Sequence, residues 1–200
     1  MYDLEVSLKK SKEADFVQSF VFELNRCRLN PEHYTYKILA HMKYIKQDYI
    51  GGEKIYYYKR EREDKIMLLT GKEAFEKCIE VLKATEPLEP IEMKQELVIP
   101  VLEDPNLWTD QDYLKRKCSE KEEFNSGSDS KNSFHFDIGS ANAEISLIMQ
   151  LVDDTSFRGW RRNNLLSKEF KYIGIDNLNF DNTSCSYFYF ASSLDEPIEY

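Results

Sequence analysis

Three histidines, four cysteines and a few acidic residues are the groups in this chain whose types could carry chemistry. A divalent metal needs three or four N, O or S ligands converging on one point. His33 and His41 share one predicted helix but stand about two turns apart, too far for the side-by-side pair of a zinc helix. His135 alternates with Phe134 and Phe136, so it faces away from that apolar side and reads as a surface or hydrogen-bonded residue. Cys27, Cys78, Cys118 and Cys185 are widely scattered, with no Cys-x-x-Cys pair and no sequence neighbour to lower a thiol pKa. A spatial pair such as Cys118 with His135 stays open, because sequence distance does not decide it. There is no Gly-x-Ser-x-Gly elbow and no phosphate loop; Gly51-Gly52 and Gly71 are turn signals. Asp153-Asp154 closes an apolar run and precedes Thr155-Ser156, which suits a helix terminus better than an acid–base pair.

The elements that must position these groups are legible from periodicity. Phe16, Val17, Phe20, Val21, Leu24 and Cys27 recur at helical spacing, and that helix should end near Leu29. Asn30-Pro31 reads as a cap followed by proline at the first helical position. The second helix carries the stripe Tyr34, Ile38, Leu39, Met42 and Ile45. Thr70-Gly71-Lys72-Glu73 matches a capping box, opening a helix through Ala74, Phe75, Cys78, Ile79 and Leu82. Pro87 and Pro90 separate it from a short helix expected over Met93 to Leu102. Residues 119–133 are polar and aperiodic and read as a loop. Phe134, Phe136 and Ile138 alternate as a half-buried strand, and Ile145 to Val152 is a helix covered on more than one side. Phe170–Ile175 and Cys185–Ala191 complete the strands. In the last, Tyr187, Tyr189 and Ala191 share one face and Phe188 and Phe190 the other, as in a sheet covered on both sides.

Two stretches carry a family likeness. Arg158-Gly159-Trp160-Arg161, followed by Phe170-Lys171 and Gly174, resembles the Arg-Gly-His-Arg…Phe-Lys-x-x-Gly segment of the SCP/CAP superfamily, which includes cysteine-rich secretory, antigen-5 and pathogenesis-related proteins. The turn Leu24-Asn25-Arg26-Cys27-Arg28-Leu29-Asn30-Pro31 and the order of helices after it extend the likeness from about Phe16 to Ala191. The resemblance implies an α+β fold, a three-layer α-β-α sandwich with a small antiparallel sheet, over a single domain spanning residues 1–200. It also implies a cavity of two histidines and acidic residues, and here those positions are degenerate. Asp104 and Pro105 stand where a histidine is expected, Phe136 replaces a glutamate beside Asp137, and Trp160 replaces the second histidine. An indole neither ligates a metal nor carries a proton at neutral pH, so no catalytic residue, metal or cofactor is expected.

Composition narrows the remaining choices. The net charge of −9 disfavours nucleic acid and anionic membranes, since both need a basic surface. No apolar run reaches membrane-spanning length, and the first twenty residues lack the apolar core of a signal peptide. An intracellular, cytoplasmic location with free thiols is therefore expected. The candidate partner contacts are Tyr56, Tyr57 and Tyr58, together with Arg158 and Arg162 beside Trp160, because tyrosine, tryptophan and arginine anchor protein interfaces. Arg161 reads equally as a structural arginine packed on the sheet. The expected function is non-catalytic: a protein-binding or structural subunit of an intracellular assembly, with a cytoskeletal or ciliary setting. The alternative is a lipid or sterol carrier with an apolar groove, and a hydrolase with relocated metal ligands is a third reading.

Overall fold

The computed structural model describes residues 2–61, 65–99, 131–154, 159–180 and 183–194. Asp104, Pro105, Cys118, Arg158 and most of the expected 119–133 loop lie outside them. The chain opens with α1 (Tyr2–Leu29) and α2 (Pro31–His41). Asn30 divides the two helices: its Oδ1 accepts from the His33 N–H at 3.1 Å, and Pro31 at the first helical position has no N–H to satisfy. A 3-10 turn at Met42–Tyr44 leads into β1 (Ile45–Ile50) and β2 (Glu53–Tyr58). Gly51 and Gly52 both hold positive φ, 60° and 88°, which is the two-residue hairpin turn whose twist matches that of its strands. β3 (Ile66–Leu68) completes a three-stranded antiparallel sheet in the order β1-β2-β3.

The expected continuation of α2 through Met42 and Ile45 is overturned. Leu39 is exposed and Ile45 begins a strand, so the apolar spacing ran on past the point where the backbone changed. The capping box at Thr70 is overturned as well. The N-cap of α3 (Lys72–Ala84) is Gly71, at φ 67°, and it makes no side-chain cap bond. Instead the Asp154 carboxylate accepts from Thr70 N–H (2.9 Å), Thr70 Oγ1–H (2.9 Å) and Gly71 N–H (3.1 Å). An anion at the start of a helix meets its unsatisfied N–H groups and positive dipole end.

After α3 the chain forms β4 (Glu92–Met93) and a 3-10 turn at Gln95–Leu97 in place of the expected helix. β4 pairs in parallel with β6 (Tyr172–Phe180), and Leu97 then folds under the sheet. Gly174 permits this close approach: a Cβ there would lie 2.1 Å from the Leu97 carbonyl oxygen. β5 (Asn132–Ser140), α4 (Ala143–Val152), α5 (Trp160–Leu165) and β7 (Thr183–Ala191) complete the described elements. The main sheet runs β4-β6-β7-β5, antiparallel except at β4. The fold is therefore α+β, with one antiparallel and one mixed sheet.

Both faces of the main sheet are apolar, as the aromatic alternation of β7 requires. Ile173, Ile175, Phe188 and Phe190 meet Phe16, Phe20 and Leu24 of α1 and Ile145 and Ile148 of α4, with the Phe20 and Phe188 rings 4.8 Å apart. Phe136, Cys185, Tyr187, Tyr189 and Ala191 form a second cluster with Leu97 on the opposite face. The described helices all contribute to the first cluster. Arg28 locks α1 to the rest of this layer from a fully buried position. Its guanidinium donates to the carbonyl oxygens of Glu89, Leu165, Ser167 and Phe170 at 2.8–3.2 Å. Asn25, one turn earlier, exchanges two hydrogen bonds with the Ile91 backbone.

Candidate functional site: a buried polar chain and an exposed sheet face

Beyond Glu144 in its first turn, α4 is apolar except where Ser146 and Gln150, one turn apart, point at the main sheet. There they meet Asp137 and His135, which share one face of β5. The hydrogen bonds among these residues have a single direction. Ser133 Oγ–H donates to Asn164 Oδ1 at 2.9 Å, and Asn164 Nδ2 donates to His135 Nδ1 at 3.4 Å. His135 Nε2–H then donates to Gln150 Oε1 at 2.8 Å. Gln150 Nε2 donates to Ser146 Oγ at 3.0 Å and Asp137 Oδ2 at 3.3 Å, and Ser146 Oγ–H also reaches Asp137 Oδ2 at 3.2 Å. Arg161 Nη1 closes the chain on Asp137 Oδ1 at 3.1 Å. Every donor along this path leads to one carboxylate.

That polarity fixes the protonation states. His135 accepts at Nδ1 and donates at Nε2, which is the neutral ring; a charged ring would turn a donor against the Asn164 amide. Burial pushes its pKa down to about 3, reinforced by the Arg161 charge. Burial raises the Asp137 carboxyl above its usual range, while Arg161, Ser146 and Gln150 hold it back. Of the two readings of His135, surface or hydrogen-bonded, the second holds: it lies on the face opposite Phe134 and Phe136, bonded at both ring nitrogens and only 6% exposed, because this strand is covered on both faces. Its partners are Gln150 and Asn164, and the polar pair Ser146 and Gln150, spaced i, i+4 in a mostly apolar helix, is the sequence signal that points to this chain.

The degenerate cavity positions within the described residues do not converge. Phe136 and Asp137 sit on opposite faces of β5, the phenylalanine near Tyr187 (6.3 Å between rings) and the aspartate in the polar chain. Trp160 opens α5 half-buried. Arg162, expected as an exposed partner contact, is overturned as one: it is buried, and Nη1 donates to the Leu151 and Val152 carbonyl oxygens at 3.0 and 3.1 Å. Those are last-turn carbonyls of α4, the negative end of its dipole. Gly159, at φ 84°, makes room, since a Cβ there would meet Arg162 Nη2 at 2.6 Å. Asp153 is the left-handed C-cap of α4, as the terminus reading anticipated. Cys27, Cys78 and Cys185 are buried and outside any disulfide; burial pushes the Cys78 thiol up to about 12. Among the described residues no three His, Cys, Asp or Glu side chains group as a metal site, and no helix is long and apolar enough to cross a membrane.

The tyrosine run is β2, and its alternation divides the three residues. Tyr58 is fully buried, stacked on His41 with 5.9 Å between rings, and its O–H donates to His41 Nδ1 at 2.8 Å. His41 Nε2–H in turn reaches Glu144 Oε1 at 3.2 Å. Glu144 is partly buried, yet Lys37 and His41 hold its carboxyl below the usual range. Tyr58 and Leu68 thus root the small sheet in the core. On its other face Tyr57 and Ile55 are half-exposed, Ile50, Met67 and Leu69 are 58–65% exposed, and Lys65 Nζ lies 4.5 Å over the Tyr57 ring. Tyr56 lies on the rooted side, half-buried, with Lys54 Nζ 4.7 Å over its ring. An open groove of about 800 Å³ runs elsewhere, between α1 at Asp15–Glu23 and the start of α4. No protein-family model, curated protein or solved structure matches this chain.

Proposed function

We propose that this protein is a non-catalytic binding subunit that docks another protein on the outward face of β1-β2-β3. One observation carries the reading: a sheet rooted by Tyr58 and Leu68 turns Ile50, Ile55, Tyr57, Met67 and Leu69 outward together. A contiguous exposed apolar face framed by charged residues is the usual mark of a protein contact, whereas isolated exposed apolar residues are common. The buried chain ending on Asp137 supports a structural role for the other candidate site, because its donors are used within the fold. In this reading the domain is a degenerate SCP/CAP-like three-layer sandwich in which Trp160 stands for the cavity histidine. It serves an intracellular assembly, with the cytoskeleton or cilium as its setting.

The test is a photo-crosslinking amino acid placed at Met67 or, as a control, at Glu76 on the exposed side of α3. In the native cell, Met67 should yield discrete protein adducts that Glu76 does not. Equal adducts from both positions, or none from Met67, would refute the reading.

A further inference from the structure

The outward face of the small sheet has an order that a second copy of the same chain can read. β1 and β2 pair Lys46 with Tyr57 and Asp48 with Ile55, and β3 places Met67 beside Tyr57. Leu69, 64% exposed and just past the end of β3, would extend the alternation into the row of Ile55. The face therefore holds two neighbouring rows: Lys46, Tyr57, Met67, and then Asp48, Ile55, Leu69. Each row carries one charge at its β1 end and apolar side chains at its β2 and β3 positions, and the two charges are opposite. Beyond the second row, toward the hairpin turn, lie Ile50 and Glu53; beyond the first lies Lys65.

We propose that this face is a two-fold interface between copies of this chain, stacked sheet on sheet with the symmetry axis crossing the strands between the two rows. Such an axis reverses the strand direction and keeps each strand over its own counterpart. Lys46 then faces the second copy's Asp48, Tyr57 faces Ile55 and Met67 faces Leu69, each contact made twice. Glu53, at the turn end, moves toward the end that carries Lys65. The alternative axis, parallel to the strands along β2, would lay β1 over the second copy's β3 and set Lys46 against Met67 with no opposite charge to meet it, so charge selects the first. Stacked sheets pack about 10 Å apart, crossing at roughly 30° because each is twisted. Three strands of up to six residues offer a face of roughly 15 by 20 Å. That is a small interface of the weak, reversible class, so association belongs at micromolar concentrations or above. The inference rests on the reading of this face as the docking surface and names its occupant.

Sedimentation of the full chain at about 0.15 M salt, from about 5 to 300 µM, tests it. The parent should shift from monomer to dimer across this range. Lys46→Glu alone and Asp48→Lys alone each replace two attractions with two repulsions and should weaken association about tenfold or more. The double variant Lys46→Glu/Asp48→Lys, and an equimolar mixture of the two single variants, should recover parent-like association. Met67→Ser should weaken it without any change of charge. All of these positions are exposed, and unchanged circular dichroism and melting would establish intact folding. A parent that stays monomeric throughout, or a mixture no tighter than either single variant, overturns the proposal. If the parent is monomeric while Met67 still cross-links a different protein, the copy-to-copy contact fails and the docking surface stands; if Met67 cross-links nothing, both fall.

Discussion

His135 is held neutral by the company it keeps, and this makes stability depend on pH in a stated direction. The unfolded chain takes up a proton at this residue as pH falls through about 6.5, whereas the folded chain does so only near 3. The folded state therefore loses stability on acidification across that window, by at most about 1.4 kcal/mol per pH unit. Asp137 acts in the opposite sense, since its raised pKa lets the folded state take a proton first. His135→Gln keeps one donor and one acceptor but cannot titrate. Urea unfolding of parent and variant between pH 7 and 4 should show the two stabilities converging as pH falls, with the slope difference assignable to His135. Parallel curves would mean that the imidazole titrates as an ordinary one. Trp160 and its arginines illustrate what residue type alone conveys. Three arginines beside an indole look like an exposed anchor, yet Arg162 turns inward because the end of α4 offers it carbonyl oxygens.

At the scale of elements, α3 depends on a residue outside its own segment. Asp154 takes the capping role for which Thr70 was suited by spacing, since a carboxylate meets the Thr70 and Gly71 N–H groups at once. Asp154→Ala should cost about 1–2 kcal/mol, read as a lowered denaturation midpoint, while Thr70→Val should cost less. Equal losses would return the cap to Thr70. The same contrast separates what was legible from what was not. Phe16, Phe20, Leu24 and Cys27 announced α1, and all four are buried; Asn30-Pro31 announced the break after it. The alternating Phe and Tyr of β7 announced a sheet covered on both faces. Those signals are local, so one strand or helix contains them whole. The Asp154 cap and the polar chain through His135 join residues that no sequence window brings together. Leu39 and Ile45 misled for a related reason, because helical spacing cannot show where a backbone leaves the helix.

For the whole molecule, Arg28 is the residue on which separate parts converge. It holds carbonyl oxygens from the segment before β4, from the last residue of α5 and from the segment between α5 and β6. Arg28→Met keeps the bulk and strands those carbonyls, so it should cost about 3 kcal/mol or more, seen as one cooperative loss in thermal unfolding. A biphasic transition would show that the arginine fastens only a peripheral part. The separation of these contacts also sets a timetable for synthesis. Arg28 must wait for Phe170, 142 residues further along, before its last partner exists. At translation speeds of about 5–20 residues per second, that interval is roughly 7–28 s. Throughout it α1 carries a cation it cannot yet bury, so the newborn chain completes this interior only once Phe170 has been made.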